Sequence, residues 1–132
     1  MDRRVFGRIA QCSGTLRVAF GGGDFLETSE TYRSFADRCI RNPVNRVLLE
    51  AGDNDPLAHA RLRDALEAMA RAAAIPADFK LALVASTLAV GAVYRDAQRA
   101  LRAAGVNAWV FASHGEALEW LEGRSPGGRT AS

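Results

Sequence analysis

The chain has 132 residues, of which 48% are hydrophobic and 24% are charged, and its formal net charge is +2. These values are typical of one globular domain, and they exclude a chain too short or too polar to bury a core. No apolar run approaches the ~20 residues of a membrane-spanning helix, and no signal-peptide-like stretch follows Met1. We therefore expect a cytoplasmic protein without a membrane span.

The basic residues are almost all arginine, because Lys80 is the single lysine among the 17 Lys and Arg residues. They form no basic tract, so we predict that the chain does not bind nucleic acid. The two cysteines, Cys12 and Cys39, have no metal-ligand spacing to other residues. Cys39 falls on the apolar stripe of a predicted helix, which indicates a buried, reduced thiol.

The first part of the chain predicts a hairpin followed by a helix. Residues 4–12 and 15–20 alternate as strands, and the Ser13-Gly14 turn between them favours antiparallel pairing. After Gly21–Asp24, a helix is predicted from about Ser29 to Arg41, because its apolar residues recur at helical spacing. The Asn42-Pro43 pair ends it, since proline disfavours helical geometry in the residue before it.

The rest of the chain alternates strands and helices. The predicted strands are residues 46–51, 79–85 and 106–112. A second helix starts at Asp55 as N-cap with Pro56 at the first position and ends at Ile75-Pro76. A third covers 88–104, with Gly105 in a left-handed conformation after it. The last helix starts with a Ser113/Glu116 capping box and ends before Gly123.

The predicted element order is therefore β-β-α-β-α-β-α-β-α. It indicates an α/β fold with a mostly parallel five-stranded sheet and helices on both faces, because parallel strands need crossover helices. We predict a single domain over residues 1–123. Residues 124–132 are polar and Gly-rich, so a disordered tail is predicted there.

Open α/β sheets bind ligands beyond the carboxyl ends of their strands. The loops at 21–24, 52–55, 86–87 and 113–115 are predicted to lie there. The glycines at 21–23 could let backbone amides approach a phosphate, but a flexible connection between strand and helix is the better interpretation, because the spaced glycines of a dinucleotide fold and the ending of a P-loop are both missing. The candidate ligand- or partner-binding residues are Gly22, Asp24, Asp53, Asn54, Asp55 and Ser86.

These loops allow two enzymatic interpretations. Asp24, Asp53 and Asp55 could hold magnesium for phosphoryl transfer, as in a response-regulator receiver. A receiver carries a lysine after its last strand, however, where this chain has Ser113-His114, and Lys80 begins a strand at the opposite edge. A triad of Ser86, His114 and Asp53 lacks a nucleophile-elbow motif. We therefore predict no catalytic residue, no metal ligand and no cofactor, with the magnesium-dependent domain as the alternative.

The element order and three local features resemble the STAS fold, and within it the SpoIIAA-like group of small bacterial proteins related to lipid-binding CRAL-TRIO modules. The three features are the opening hairpin, the Asp53-Asn54-Asp55 turn, and the ending that runs from Val110 to Ser113 and from Glu116 to Leu121. The resemblance implies a non-enzymatic binding or regulatory module. Its partner would be a protein or a small anionic or lipid-like ligand, and a homodimer is another possibility.

The same resemblance carries an expectation about regulation. In anti-sigma-factor antagonists of this family, a serine just before the second helix is phosphorylated and controls partner binding. Here the turn reads Asp53-Asn54-Asp55-Pro56, with neither serine nor threonine. We therefore expect no phosphoswitch at this loop.

Overall fold

The computed structural model describes residues 7–12, 14–20, 24–52 and 55–123. Within them lie the strands β1 (Gly7–Cys12), β2 (Thr15–Phe20), β3 (Arg46–Glu50), β4 (Lys80–Val84) and β5 (Ala108–Phe111). The α-helices are α1 (Phe25–Arg41), α2 (Arg61–Arg71), α3 (Leu88–Ala103) and α4 (His114–Leu121), and a 3₁₀ turn covers Pro56–Ala60. This order confirms the predicted α/β fold class. The predicted tail at 124–132 lies outside the described residues.

The strands form one sheet in the order β1-β2-β3-β4-β5. β1 and β2 pair as the predicted antiparallel hairpin, and β2 to β5 are parallel. Because parallel strands run in one direction, their carboxyl ends lie at one edge of the sheet, which we call the carboxyl edge. Lys80 begins β4 and so lies at the opposite edge, as predicted.

Helices cover both faces of the sheet, as predicted. Strand residues such as Val18, Leu49 and Leu83 pack with α1, α2 and α3 in the larger core. The alternate residues, such as Leu48, pack with Trp120 of α4 in a smaller core. Right-handed crossovers between sequential strands place their helices on one face. In the part of the chain that the structure describes, α4 is therefore the only helix on the other face.

The first helix begins at Phe25 rather than at the predicted Ser29. Its N-cap is Asp24, whose carboxylate accepts the Glu27 N–H, while the Glu27 carboxylate accepts the Asp24 N–H. This capping box satisfies two of the amides that a helix start leaves unpaired. The sequence did not predict this capping box, because the preceding glycines indicated a loop.

The second helix differs from its prediction at both ends. Asp55 is the predicted cap, but the residues after it form the 3₁₀ turn, and α2 begins only at Arg61. α2 ends at Arg71, and Ala73 has a φ of 55°. Because the chain leaves the helix here, Ala74 is buried, with 1% of its surface exposed. Ile75 also lies outside the helix, which suits its position before Pro76, because proline disfavours helical geometry in the residue before it.

The ends of the last two helices agree with the sequence. Gly105 has a φ of 92°, and the N–H groups of Gly105 and Val106 donate to Arg102 O and Leu101 O at 3.0 and 2.8 Å. This is the glycine-based helix ending that was predicted. α4 is capped by Ser113, whose hydroxyl accepts the Glu116 N–H at 3.1 Å. None of the described helices is both long enough and apolar enough to cross a lipid bilayer.

Candidate binding site at the carboxyl edge

The predicted site residues that the structure describes follow strand ends at the carboxyl edge. Asp24 follows β2, Asp55 follows β3, and Ser86 follows β4. The parallel topology therefore brings these three segments to the same edge, as the sequence predicted. Gly22, Asp53 and Asn54 lie outside the described residues.

The carboxylates of Asp24 and Asp55 are engaged by backbone amides. Asp24 Oδ1 accepts the Glu27 N–H at 2.9 Å, and Asp55 Oδ1 accepts the Leu57 N–H at 3.0 Å. Each carboxylate sits at a helix start, where amide donors and the backbone dipole favour negative charge. Among the residues that the structure describes, no group of three or more His, Cys, Asp or Glu side chains could hold a metal ion.

Ser86 and Thr87 fix the end of β4. The Ser86 hydroxyl donates to Ala51 O at 3.4 Å and so ties the end of β4 to the end of β3. Thr87 caps α3, because its hydroxyl accepts the Val90 N–H at 3.2 Å. The two hydroxyls therefore tie this loop to the end of β3 and to the first turn of α3.

Large apolar side chains project from this edge. Leu26, Leu57 and Leu88 are 64%, 70% and 88% exposed, and Phe25 is 39% exposed. Among the described residues, every exposed large apolar side chain lies in the first turn of a helix that begins at the carboxyl edge. This surface was not predicted from the sequence, although a leucine follows each of three helix caps within two residues.

Two open grooves flank Phe25. One, of about 500 Å³, lies between α1 and α2, and the other, of about 610 Å³, is lined by Phe25, Leu57 and residues of α2 and α3. Between them the Arg61 guanidinium lies 5.3 Å from the Phe25 ring centroid and pairs with Asp64 at 2.9 Å. The grooves therefore combine apolar walls with charges of both signs.

A buried polar cluster lies beneath this edge. Tyr32 Oη is 2.6 Å from His59 Nδ1 and 2.8 Å from Tyr94 Oη, and Tyr94 Oη is 3.4 Å from the same nitrogen. His59 belongs to the 3₁₀ turn, so the cluster joins that turn to α1 and α3. The Phe20 ring packs against the His59 ring at 5.1 Å. Both tyrosines recur at helical spacing with apolar residues, which is typical of inward helix faces, but nothing in the sequence indicates that His59 joins them.

The available hydrogen-bond partners indicate which atom of this cluster carries each proton. If Tyr94 donates to Tyr32 and Tyr32 donates to His59 Nδ1, only the Nε2–H of His59 lacks an acceptor. The reverse order would leave two groups unpaired, the Tyr94 O–H and the Nε2 lone pair. Nε2 is buried without a partner among the described residues in either case. The first arrangement is therefore favoured, because each unpaired buried group costs free energy.

Burial sets the protonation states of the three groups. Desolvation lowers the pKa of His59 to about 4, and the nearby charge of Asp55 opposes this shift only in part. Burial also raises the pKa of Tyr32 and of Tyr94 above the usual tyrosine range. At neutral pH the cluster is therefore uncharged, and both phenols can donate.

A second polar cluster lies on the face of the sheet that α4 covers. His114 Nδ1 is 2.5 Å from Glu50 Oε2, and His114 Nε2 is 3.3 Å from Arg17 Nη2. Because a guanidinium can only donate, Nε2 must accept, and Nδ1 therefore carries the proton that goes to Glu50. Both ring nitrogens thus have partners, and Ser86 bonds to Ala51, so the geometry does not form a Ser86-His114 dyad.

Comparison with protein-family models, with curated proteins and with solved structures found no match to this chain.

Proposed function

We propose that this chain is a non-enzymatic binding or regulatory module of the STAS/SpoIIAA-like kind, and that its carboxyl edge binds a protein partner. The observation that carries the proposal is the confinement of the exposed leucines Leu26, Leu57 and Leu88 to that one edge. Exposed apolar side chains clustered on one surface are typical of interaction sites. The same edge holds Asp24, Asp55 and Ser86, three of the residues that the sequence indicated.

The shape of the surface favours a protein over a small anionic or lipid-like ligand. A small ligand is usually held in a concave pocket that covers most of its surface. Here the leucines project outward, and the adjoining grooves are open and carry charges of both signs. Projecting side chains of this kind fit pockets on a partner protein, where a few anchors supply most of the binding energy.

The hydrogen bonds of the edge support binding rather than catalysis. Asp24 and Asp55 accept helix amides, and both nitrogens of His114 contact charged side chains. A general base or a metal ligand needs a lone pair directed at its substrate or ion. Here one oxygen of each carboxylate and the Nε2 lone pair of His114 are instead directed at groups of the protein itself.

A triple variant with Leu26→Ser, Leu57→Ser and Leu88→Ser tests the proposal. Each substitution removes an exposed apolar side chain, so the fold should be retained while the binding surface is lost. Wild type and variant would serve as bait in a lysate of the source cells, with quantitative mass spectrometry of the retained proteins. We expect specific proteins to be retained by the wild type and lost by the variant.

The control is a variant with Ala70→Ser and Ala103→Ser, two exposed positions near the carboxyl ends of α2 and α3. It should retain the same proteins as the wild type. Equal retention by the triple variant would contradict the proposed surface. Turnover of a substrate that disappears in Asp53→Ala would contradict the non-enzymatic assignment.

A further inference from the structure

The two outermost strands of the sheet, β1 and β5, differ in whether their outward N–H and C=O groups have hydrogen-bond partners. At β5, the outward N–H of Val110 donates to Gln98 Oε1 at 2.7 Å. The outward carbonyl of Ala108 accepts from Arg102 Nη1 at 3.4 Å. The Arg102 guanidinium also stacks on Trp109, 4.2 Å from its ring centroid. Side chains of α3 therefore cover the outer edge of β5 and leave little room for another strand.

The outer edge of β1 has no such cover among the described residues. Cys12 and Thr15 are paired across the two-residue loop of the hairpin, and the pair that closes such a loop exchanges hydrogen bonds. Bonded and non-bonded pairs then alternate along the strands. This alternation turns the N–H and C=O groups of Gly7, Ile9 and Gln11 away from β2. No hydrogen bond from the described part of the chain reaches these outward groups.

We propose that β1 pairs with β1 of a second copy, antiparallel about a twofold axis at Ile9, and so joins two sheets into one. The outward groups suit this partner, because the pairing places Ile9 opposite Ile9 and Gly7 opposite Gln11 of the second copy. Antiparallel pairing about a twofold axis matches every outward donor with an acceptor by symmetry.

The covered β5 edge explains why the assembly stops at two copies. A sheet with two open edges could extend indefinitely, whereas one open and one covered edge yields a closed dimer. Ile9 supports the same interface, because it is half-buried against the larger core and a second strand would cover its exposed side. This interface is separate from the carboxyl edge, and it does not depend on the proposed function.

Gln11→Pro tests the pairing. Gln11 is exposed, and its N–H points outward, so proline removes one edge donor without breaking a bond of the hairpin. Gln11→Ala is the matched control, since it removes the side chain but keeps the N–H. By light scattering coupled to size exclusion, we expect dimers for the wild type and Gln11→Ala, and monomers for Gln11→Pro. Circular dichroism should show that all three are folded.

A measurement on the wild type locates the interface without any variant. Amide hydrogen exchange at Ile9 and Gln11 should slow as protein concentration rises, because those N–H groups become bonded only in the dimer. A wild type that stays monomeric at every concentration would overturn the proposal. A dimer that persists in Gln11→Pro, or whose Ile9 and Gln11 amides exchange at the same rate as in the monomer, would also overturn it.

Discussion

The chain has two histidines. The ring of each lies within hydrogen-bond distance of two side chains, but one ring is buried and the other is partly exposed. His59 is fully buried and contacts the hydroxyls of Tyr32 and Tyr94. His114 has a side chain that is 37% exposed and lies between Glu50 and Arg17. At His59 no solvent can replace a lost partner, whereas water reaches every member of the surface cluster. The neutral buried cluster should therefore carry more of the stability than the charged surface cluster.

The largest expected effect is a loss of stability in acid. Because the folded pKa of His59 is about 4, against an ordinary value of ~6.5, the unfolded chain takes up a proton first as pH falls. The contribution of neutral His59 to the free energy of unfolding is therefore fully present above pH ~6.5, and it is lost as pH falls toward ~4. The shift corresponds to about 3 kcal/mol of unfolding free energy.

Urea unfolding of the wild type and of His59→Gln across this pH range measures the contribution. Carboxylates titrate in the same range, so the informative quantity is the difference between the two free energies of unfolding. That difference should shrink by about 3 kcal/mol between pH 7 and pH 4. A difference that stays constant with pH would show that His59 is not held neutral by burial.

A smaller effect should separate the two tyrosines of the buried cluster. The Tyr32 hydroxyl has two partners at 2.6 and 2.8 Å, whereas Tyr94 has one at 2.8 Å and a longer one at 3.4 Å. Tyr32→Phe leaves two groups poorly paired and should cost about 2 kcal/mol, and Tyr94→Phe should cost about 1 kcal/mol. The measurement is urea unfolding at neutral pH.

The double variant Tyr32→Phe/Tyr94→Phe provides the control for that ranking. The two hydroxyls bond to each other, so the cost of the double variant should be less than the sum of the two single costs. Additive costs would contradict the hydrogen bond between the two hydroxyls. A Tyr94→Phe variant less stable than Tyr32→Phe would contradict the proton order in which Tyr94 donates to Tyr32 and Tyr32 donates to His59.

The sequence predicted most of the fold, because local signals and periodicity agree along this chain. The glycine ending at Gly105 and the cap at Ser113 depend on neighbours within a few residues, and both are confirmed. The start of α1 was missed for a local reason as well. The glycines before Asp24 favoured a loop and obscured the Asp24/Glu27 capping box.

The site was harder to predict because it depends on contacts between distant segments. Tyr32, His59 and Tyr94 come from α1, the 3₁₀ turn and α3, and only the packing of three elements brings their polar atoms together. The exposed leucines were missed for another reason. Their positions in the first helical turn look unremarkable one at a time, and they form a pattern only when the parallel sheet places the helix starts along one edge.

The smallest expected effect concerns the surface cluster. Glu50→Gln keeps the size of the side chain and removes its charge, so it weakens the contacts with His114 and Arg17. The side chains of Arg17 and Glu50 are 39% and 27% exposed, and pairs with this exposure typically contribute less than ~1 kcal/mol. Urea unfolding at neutral pH should therefore show a loss below that of Tyr32→Phe, and the loss should shrink further at high salt because ions screen the charges. A loss of stability that exceeds that of Tyr32→Phe and persists in high salt would contradict this prediction. The surface cluster would then contribute more to stability than the buried cluster, and its contribution would not come from screened charge pairs.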